Sequence, residues 1–198
     1  RVRRALALAI DRSAIVQHVT RAGEQPAFFI SPPALYEDPP EPLFADADFD
    51  EARRLLAEAG YPGGEGFPRL RYIYNTDDVH QMIAQVLQET WRKELGIEMS
   101  VENQEFKTLI ENRRHGNFDV ARAGWVADFP DPLNFLEMFA SDSDTNDSFF
   151  EDVVFDALLI QARAEADPAA REEILRQADR RLVEQMAIAP IFIYSNPY

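Results

Sequence analysis

Between Leu70 and Trp125 the hydrophobic pattern switches repeatedly between the period of a strand and that of a helix. Leu70–Tyr74 reads as a strand. Val79–Leu95 follows as an amphipathic helix, capped by Thr76 or Asp77 and stopped by Gly96. Ile97–Glu102 alternates as a strand, Phe106–His115 is helical and ends at Gly116, and Phe118–Trp125 reads as a third strand. Strands separated by helices of this length cannot pair as hairpins. They predict an α/β fold: a mixed β-sheet with helices on both faces.

The flanks are mostly helical. Arg1–Ala22 holds two helices broken at Asp11-Arg12-Ser13, and Glu51–Ala59 forms another, capped by Asp48 or Asp50. Residues 26–47 contain six prolines (Pro26, Pro32, Pro33, Pro39, Pro40, Pro42), which forbid helix and predict an ordered surface loop. A short helix is expected near Leu133–Phe139, then two longer ones over Val153–Ala166 and Pro168–Met186, and a closing apolar strand over Ala187–Tyr194. No repeat or low-complexity tract interrupts the 198 residues, which read as a single α/β domain over 1–198. The chain opens on Arg1 without an initiator Met, and Val2–Ile10 is already helical in pattern. The expectation is a piece of a longer protein, with any targeting signal outside it.

Composition narrows the function. Twenty Lys and Arg against 35 Asp and Glu leave a net charge of −15 with no basic cluster, the wrong sign for binding nucleic acid. With no Cys, thiolate metal sites, disulfides and a Cys nucleophile are excluded. Gly-x-Ser-x-Gly, His-Glu-x-x-His and Gly-rich phosphate loops are absent. His18 and His115 stand alone, without ligand spacing, so no metal or other cofactor is expected.

The densest chemistry lies in Phe118-Asp119-Val120-Ala121-Arg122-Ala123-Gly124-Trp125-Val126-Ala127-Asp128. Strand parity places Arg122 on the face of Phe118 and Val120, emerging at the strand's carboxyl end, where open α/β sheets bind ligands. Trp125 and Asp128 would face the same crevice. A cation, a large aromatic and a carboxylate within seven residues suit a small zwitterion; an Arg–Asp ion pair beside a packed Trp is the plainer reading. His80, at the edge of the buried stripe in the first turn of the long helix, suits either a ligand contact or a surface histidine. Phe106 and Arg113 share one side of a short helix; a phenylalanine there is more often core than pocket wall, and an arginine more often part of a solvated face than a ligand cation. A hydrolase using one of the many carboxylate pairs is a rival from another class, and a structural interaction module is a third.

These residues carry a resemblance. The Phe118–Asp128 stretch resembles the peptide-site segment of bacterial oligopeptide-binding proteins, the periplasmic receptors of peptide ABC importers. Asn103-Gln104-Glu105-Phe106-Lys107-Thr108, Tyr74-Asn75-Thr76 with His80, and Val2-Arg3-Arg4-Ala5-Leu6 through Ala9-Ile10-Asp11-Arg12 are similar to further stretches of that family. The resemblance spans nearly the whole chain. It implies the C-terminal lobe of a two-lobe, type II periplasmic-binding-protein-like receptor, its partner lobe absent from this chain.

The same resemblance implies roles. Asp128 would meet a peptide's α-ammonium, and Arg122 and His80 its α-carboxylate, with Arg113 a looser candidate. Trp125 would line a side-chain pocket, as would Phe106, where close family members carry Trp. Gly124 and Val126, the latter standing where they carry Cys, would offer backbone N–H and C=O groups to an extended peptide. No catalysis is implied. The expected partners are short peptides and, through the full-length protein, a membrane ABC permease. The expected state is a monomer in the periplasm or on the outer face of the cytoplasmic membrane. Receptors for other solutes, such as nickel complexes or sugars, belong to the wider family.

Overall fold

The structure is a computed structural model that describes residues 1–195. Its helix starts are chemical. Asp77 accepts hydrogen bonds from the backbone N–H groups of Val79 and His80 (2.9 and 3.0 Å), and Asp48 accepts from that of Glu51 (3.2 Å). Each satisfies donors that the first helical turn leaves without partners.

One compact unit comprises Arg1–Pro26, Phe44–Gly124 and the segment from Ile191 onward. It contains helix α1 (Val2–Leu8), a short α2 (Arg12–Ala14) that runs on as a π-helix over Ile15–Thr20, strand β1 (Gln25–Pro26) and helix α3 (Phe49–Glu58). Strand β2 (Leu70–Asn75), helix α4 (Asp78–Leu95), strand β3 (Met99–Gln104), helix α5 (Phe106–Arg114), strand β4 (Val120–Ala121) and strand β5 (Phe192–Ile193) complete it. Strands β3, β2 and β4 form a parallel sheet in that order, and β1 pairs antiparallel with β5 in a separate ribbon. The expected α/β class holds, with its parallel and antiparallel pairings divided between two sheets.

Because β2 lies in the middle, the crossover through α4 leads to one side and the crossover through α5 returns past β2 to the other. Right-handed crossovers in opposite directions place the two helices on opposite faces. The alternation along β2 agrees. Leu70, Tyr72 and Tyr74 join one core with Ile83, Ala84, Leu87, Trp91 and Leu95 of α4, while the fully buried Ile73 points the other way. Arg12, also fully buried, donates to the carbonyls of Ala7 and Ile10 and pairs with Asp46. Gly96 ends α4 at φ +67°, and a Cβ there would sit 2.0 Å from the Gly63 carbonyl oxygen. Only glycine lets these two turns interlock.

The second compact unit comprises Ala27–Leu43 and Trp125–Pro190. Helices α6 (Pro132–Leu136), α7 (Val153–Ala164) and α8 (Pro168–Glu184) enclose a core that includes Phe155, Leu159, Leu175 and Leu182, with Tyr36 supplied by the proline-rich segment. That segment is fastened to α8. Asp179, fully buried, accepts from the N–H groups of Ile30 and Ser31 (3.2 and 3.3 Å) and from the Tyr36 hydroxyl (3.1 Å). Two turns earlier, Glu172 accepts from the N–H groups of Glu37 and Asp38. The prolines deny this segment a backbone ladder, and α8 carboxylates take its free amides instead.

Two strands are shorter than expected. Phe118–Trp125 contracts to Val120–Ala121 because β4 pairs only with β2. In the register Ile73 to Ala121, β2 ends at Asn75 and has no rung left for Gly124 or Trp125. Ala187–Tyr194 contracts to Phe192–Ile193: Ala187 and Ile188 pack on the second unit's core, and Pro190 has no N–H for a ladder.

Candidate functional site

The three parallel strands end at one edge of their sheet, and the first turn of α4 and the chain leaving β4 meet there. The Arg122 N–H still donates to the Ile73 carbonyl (2.9 Å), so its side chain leaves on the face of Val120 and Tyr72, toward α4. Its Nη2 donates to the Tyr194 hydroxyl at 2.6 Å. Strand parity thus placed Arg122 correctly, although the strand itself ends one residue earlier.

His80 lies beside it. Burial pushes the imidazole below its ordinary value, the Arg122 charge adds to the effect, and Asp77 opposes it. His80 is therefore neutral near pH 7. Its Nδ1 and the Asn75 Oδ1 are both buried without a hydrogen-bond partner among the described residues. Asp77 is itself held below the usual carboxylate range, first by the N–H it receives from His80. This corner thus presents a guanidinium, an imidazole with an unsatisfied nitrogen and an unsatisfied amide oxygen. Buried polar atoms of this kind are normally paired, and the nearest carboxylate oxygen to the His80 Nδ1 is that of Asp77, at 3.8 Å.

Gly124 is exposed two residues beyond Arg122, and Phe106, at the start of α5, is 55% exposed at the same sheet edge. Arg113 is elsewhere. It sits in the last turn of α5, about 10 Å along the helix from Phe106, toward the opposite sheet edge, where Arg71 donates to the Asn117 carbonyl. The first unit therefore brings His80, Arg122, Gly124 and Phe106 to one edge and leaves Arg113 off it.

Trp125, Val126 and Asp128 belong to the second unit. Trp125 donates from Nε1 to the Asn134 Oδ1 (2.8 Å), which fixes the indole against the start of α6. Asp131 caps that helix and pairs with Arg171 at 2.9 Å. Asp128 is exposed and makes no hydrogen bond or ion pair among the described residues. Its neighbours Val126 and Phe129 are half exposed. Phe129, Asn75 and Tyr194 are site candidates that residue patterns did not single out. Phe129 was legible as an aromatic next to Asp128, whereas Tyr194 lies 72 residues from the arginine it touches and leaves no local signal.

A parallel-stranded α/β unit with a polar corner at its strand ends has the form in which open α/β sheets bind ligands. Comparison with known proteins places it. Residues 1–147 match the model of the bacterial extracellular solute-binding proteins, family 5 Middle, and the chain belongs to that family. It is 35% identical to the oligopeptide-binding protein OppA of Bacillus subtilis, over 100% of this chain and 37% of that protein. Among solved structures, the murein tripeptide binding protein MppA of Escherichia coli superposes with a TM-score of 0.92 at 38% identity, over 98% of this chain and 39% of that one. Haemophilus influenzae OppA in complex with RPPGFSPFR gives 0.89 at 32% identity, again over 98% of this chain and 39% of that one. The chain thus spans between a third and two fifths of the length of the relatives it matches.

Proposed function

We propose that this chain is the C-terminal ligand-binding lobe of a two-lobe receptor that captures short peptides for an ABC importer, holding them by their termini and backbone. The observation that carries the reading is the corner of Arg122, His80 and Asn75, where a carboxylate would meet a guanidinium and an imidazole nitrogen that has no hydrogen-bond partner among the described residues. The exposed Asp128, without a partner among the described residues, is the complementary group for an α-ammonium. Buried charges on a peptide's ends are costly without such partners, and termini and backbone are common to all peptides, so the arrangement suits broad specificity.

In this reading Trp125 and Phe106 line side-chain pockets, and Gly124 and Val126 offer backbone groups to the extended ligand. Arg113 serves only ligands that reach toward its end of α5. The second lobe, supplied by the longer protein, closes over the peptide about a hinge, and closure reports occupancy to the membrane permease. The receptor works as a monomer in the periplasm or at the outer face of the cytoplasmic membrane, and no bond is made or broken.

The test is Asp128→Asn in the full two-lobe protein, with peptide affinity measured by calorimetry. The expected loss is about 2–5 kcal/mol, as for removing one member of a buried charge pair. Unchanged affinity overturns the role of Asp128. A thermal-shift screen in which nickel complexes or sugars stabilise the protein and peptides do not overturns the ligand class.

A further inference from the structure

An arginine that selects a carboxylate must present its guanidinium in one place, yet the free side chain has rotamer entropy to lose in doing so. Arg122 is held on two sides. On one, Nη2 donates to the Tyr194 hydroxyl at 2.6 Å. On the other, the guanidinium folds back over Gly124, where a Cβ would lie 3.0 Å from Nη2 and 3.4 Å from Cζ.

Tyr194 is fixed in its turn. Its ring packs edge-on against Phe192, with centroids 5.1 Å apart and planes at 84°, and Phe192 is locked into the β1–β5 ribbon opposite Pro26. The next residue, Ser195, donates from Oγ to the Ala22 carbonyl at 2.6 Å. Because the Tyr194 oxygen accepts from Arg122, its own proton points away from the guanidinium.

We infer that Tyr194 is a positioning residue: it fixes the Arg122 guanidinium in the orientation that receives a ligand carboxylate, and Gly124 leaves the room this orientation needs. The inference rests on the proposed role of Arg122, and one set of measurements separates the two. Calorimetry on the full two-lobe protein compares a peptide bearing a free C-terminal carboxylate with the same peptide amidated at that end.

Tyr194→Phe removes only the hydroxyl. It is expected to weaken the free-acid peptide about 3- to 10-fold, the size of one lost hydrogen bond, and to leave the amidated peptide and the melting temperature unchanged. Arg122→Gln should weaken the free-acid peptide further. The double variant should be no weaker than Arg122→Gln, because the hydroxyl acts through the guanidinium. Equal weakening of both peptides by Tyr194→Phe, no weakening, or an additive double variant overturns the positioning role while Arg122→Gln still discriminates. If Arg122→Gln also fails to discriminate, Arg122 is not the carboxylate contact, and the proposed role falls together with the inference.

Discussion

Asp179 is the most exacting place to test the energetics of the second unit. The carboxyl is fully buried, and burial pushes it up to about 6 from an ordinary 3.8, against the three hydrogen bonds it accepts. A raised folded value means that the folded state takes up the proton first. The stabilising contribution is therefore complete below about pH 4 and is lost as pH rises through 6. Holding the group charged at pH 7 costs about 3 kcal/mol relative to a free carboxylate. Replacing it with alanine removes that cost but strands the Ile30 and Ser31 amides and the Tyr36 hydroxyl, at about 1.5 kcal/mol apiece. Asp179→Ala is therefore expected to destabilise the second unit at pH 7.

At pH 5 the wild-type carboxyl is mostly protonated when folded and mostly ionised when unfolded, so the two-state linkage expression adds about 1.3 kcal/mol to the difference. The assay is urea unfolding at both pH values, followed by fluorescence. Trp91 lies in the first unit and Trp125 in the second, so a Trp91→Phe background leaves a probe of the second alone. Subtracting variant from wild type cancels every other titration. A double difference of zero, or greater destabilisation at pH 7 than at pH 5, refutes the reasoning.

Two further outcomes are expected. Gly96→Ala forces a side chain into the left-handed region and against the Gly63 carbonyl, and should cost at least about 2 kcal/mol in denaturant unfolding; a loss of only a few tenths refutes the interlocked turn. His80 should titrate below 6.5, with its stabilising contribution lost as pH falls through its lowered folded value. A peptide carboxylate beside Arg122 should raise that value, which the His80 Hε1 signal follows by NMR, and an unchanged titration at saturation refutes contact at this corner.

The features legible in the sequence are local ones. The caps at Asp48 and Asp77 depend on side chains within three residues of the donors they satisfy, and periodicity over α4 and β2 depends on residues within a few turns. Arg122 emerged correctly at a strand end because Val120, two residues earlier, shows which face is buried. The limits were equally physical. The length of β4 is set by where its neighbour β2 stops, not by residues 118–125 themselves. The partition into two units was hidden because the proline-rich segment belongs with α8, and the bond from Ile30 to Asp179 spans 149 residues. Tyr194 leaves no local signal for the same reason: its partner Arg122 lies 72 residues away in sequence.

That interleaving has a consequence for synthesis. The chain passes between the units four times, after Pro26, Leu43, Gly124 and Pro190. Strand β1 emerges early and finds its partner only when Phe192 and Ile193 arrive, while Ile30 and Ser31 wait for Asp179. The first unit's buried core lies within Ala5–Met99, so only its two-stranded ribbon waits for β5, whereas the second unit's core waits for α7 and α8. Until then the amides of the proline-rich segment and the edge of β1 stay open to other chains.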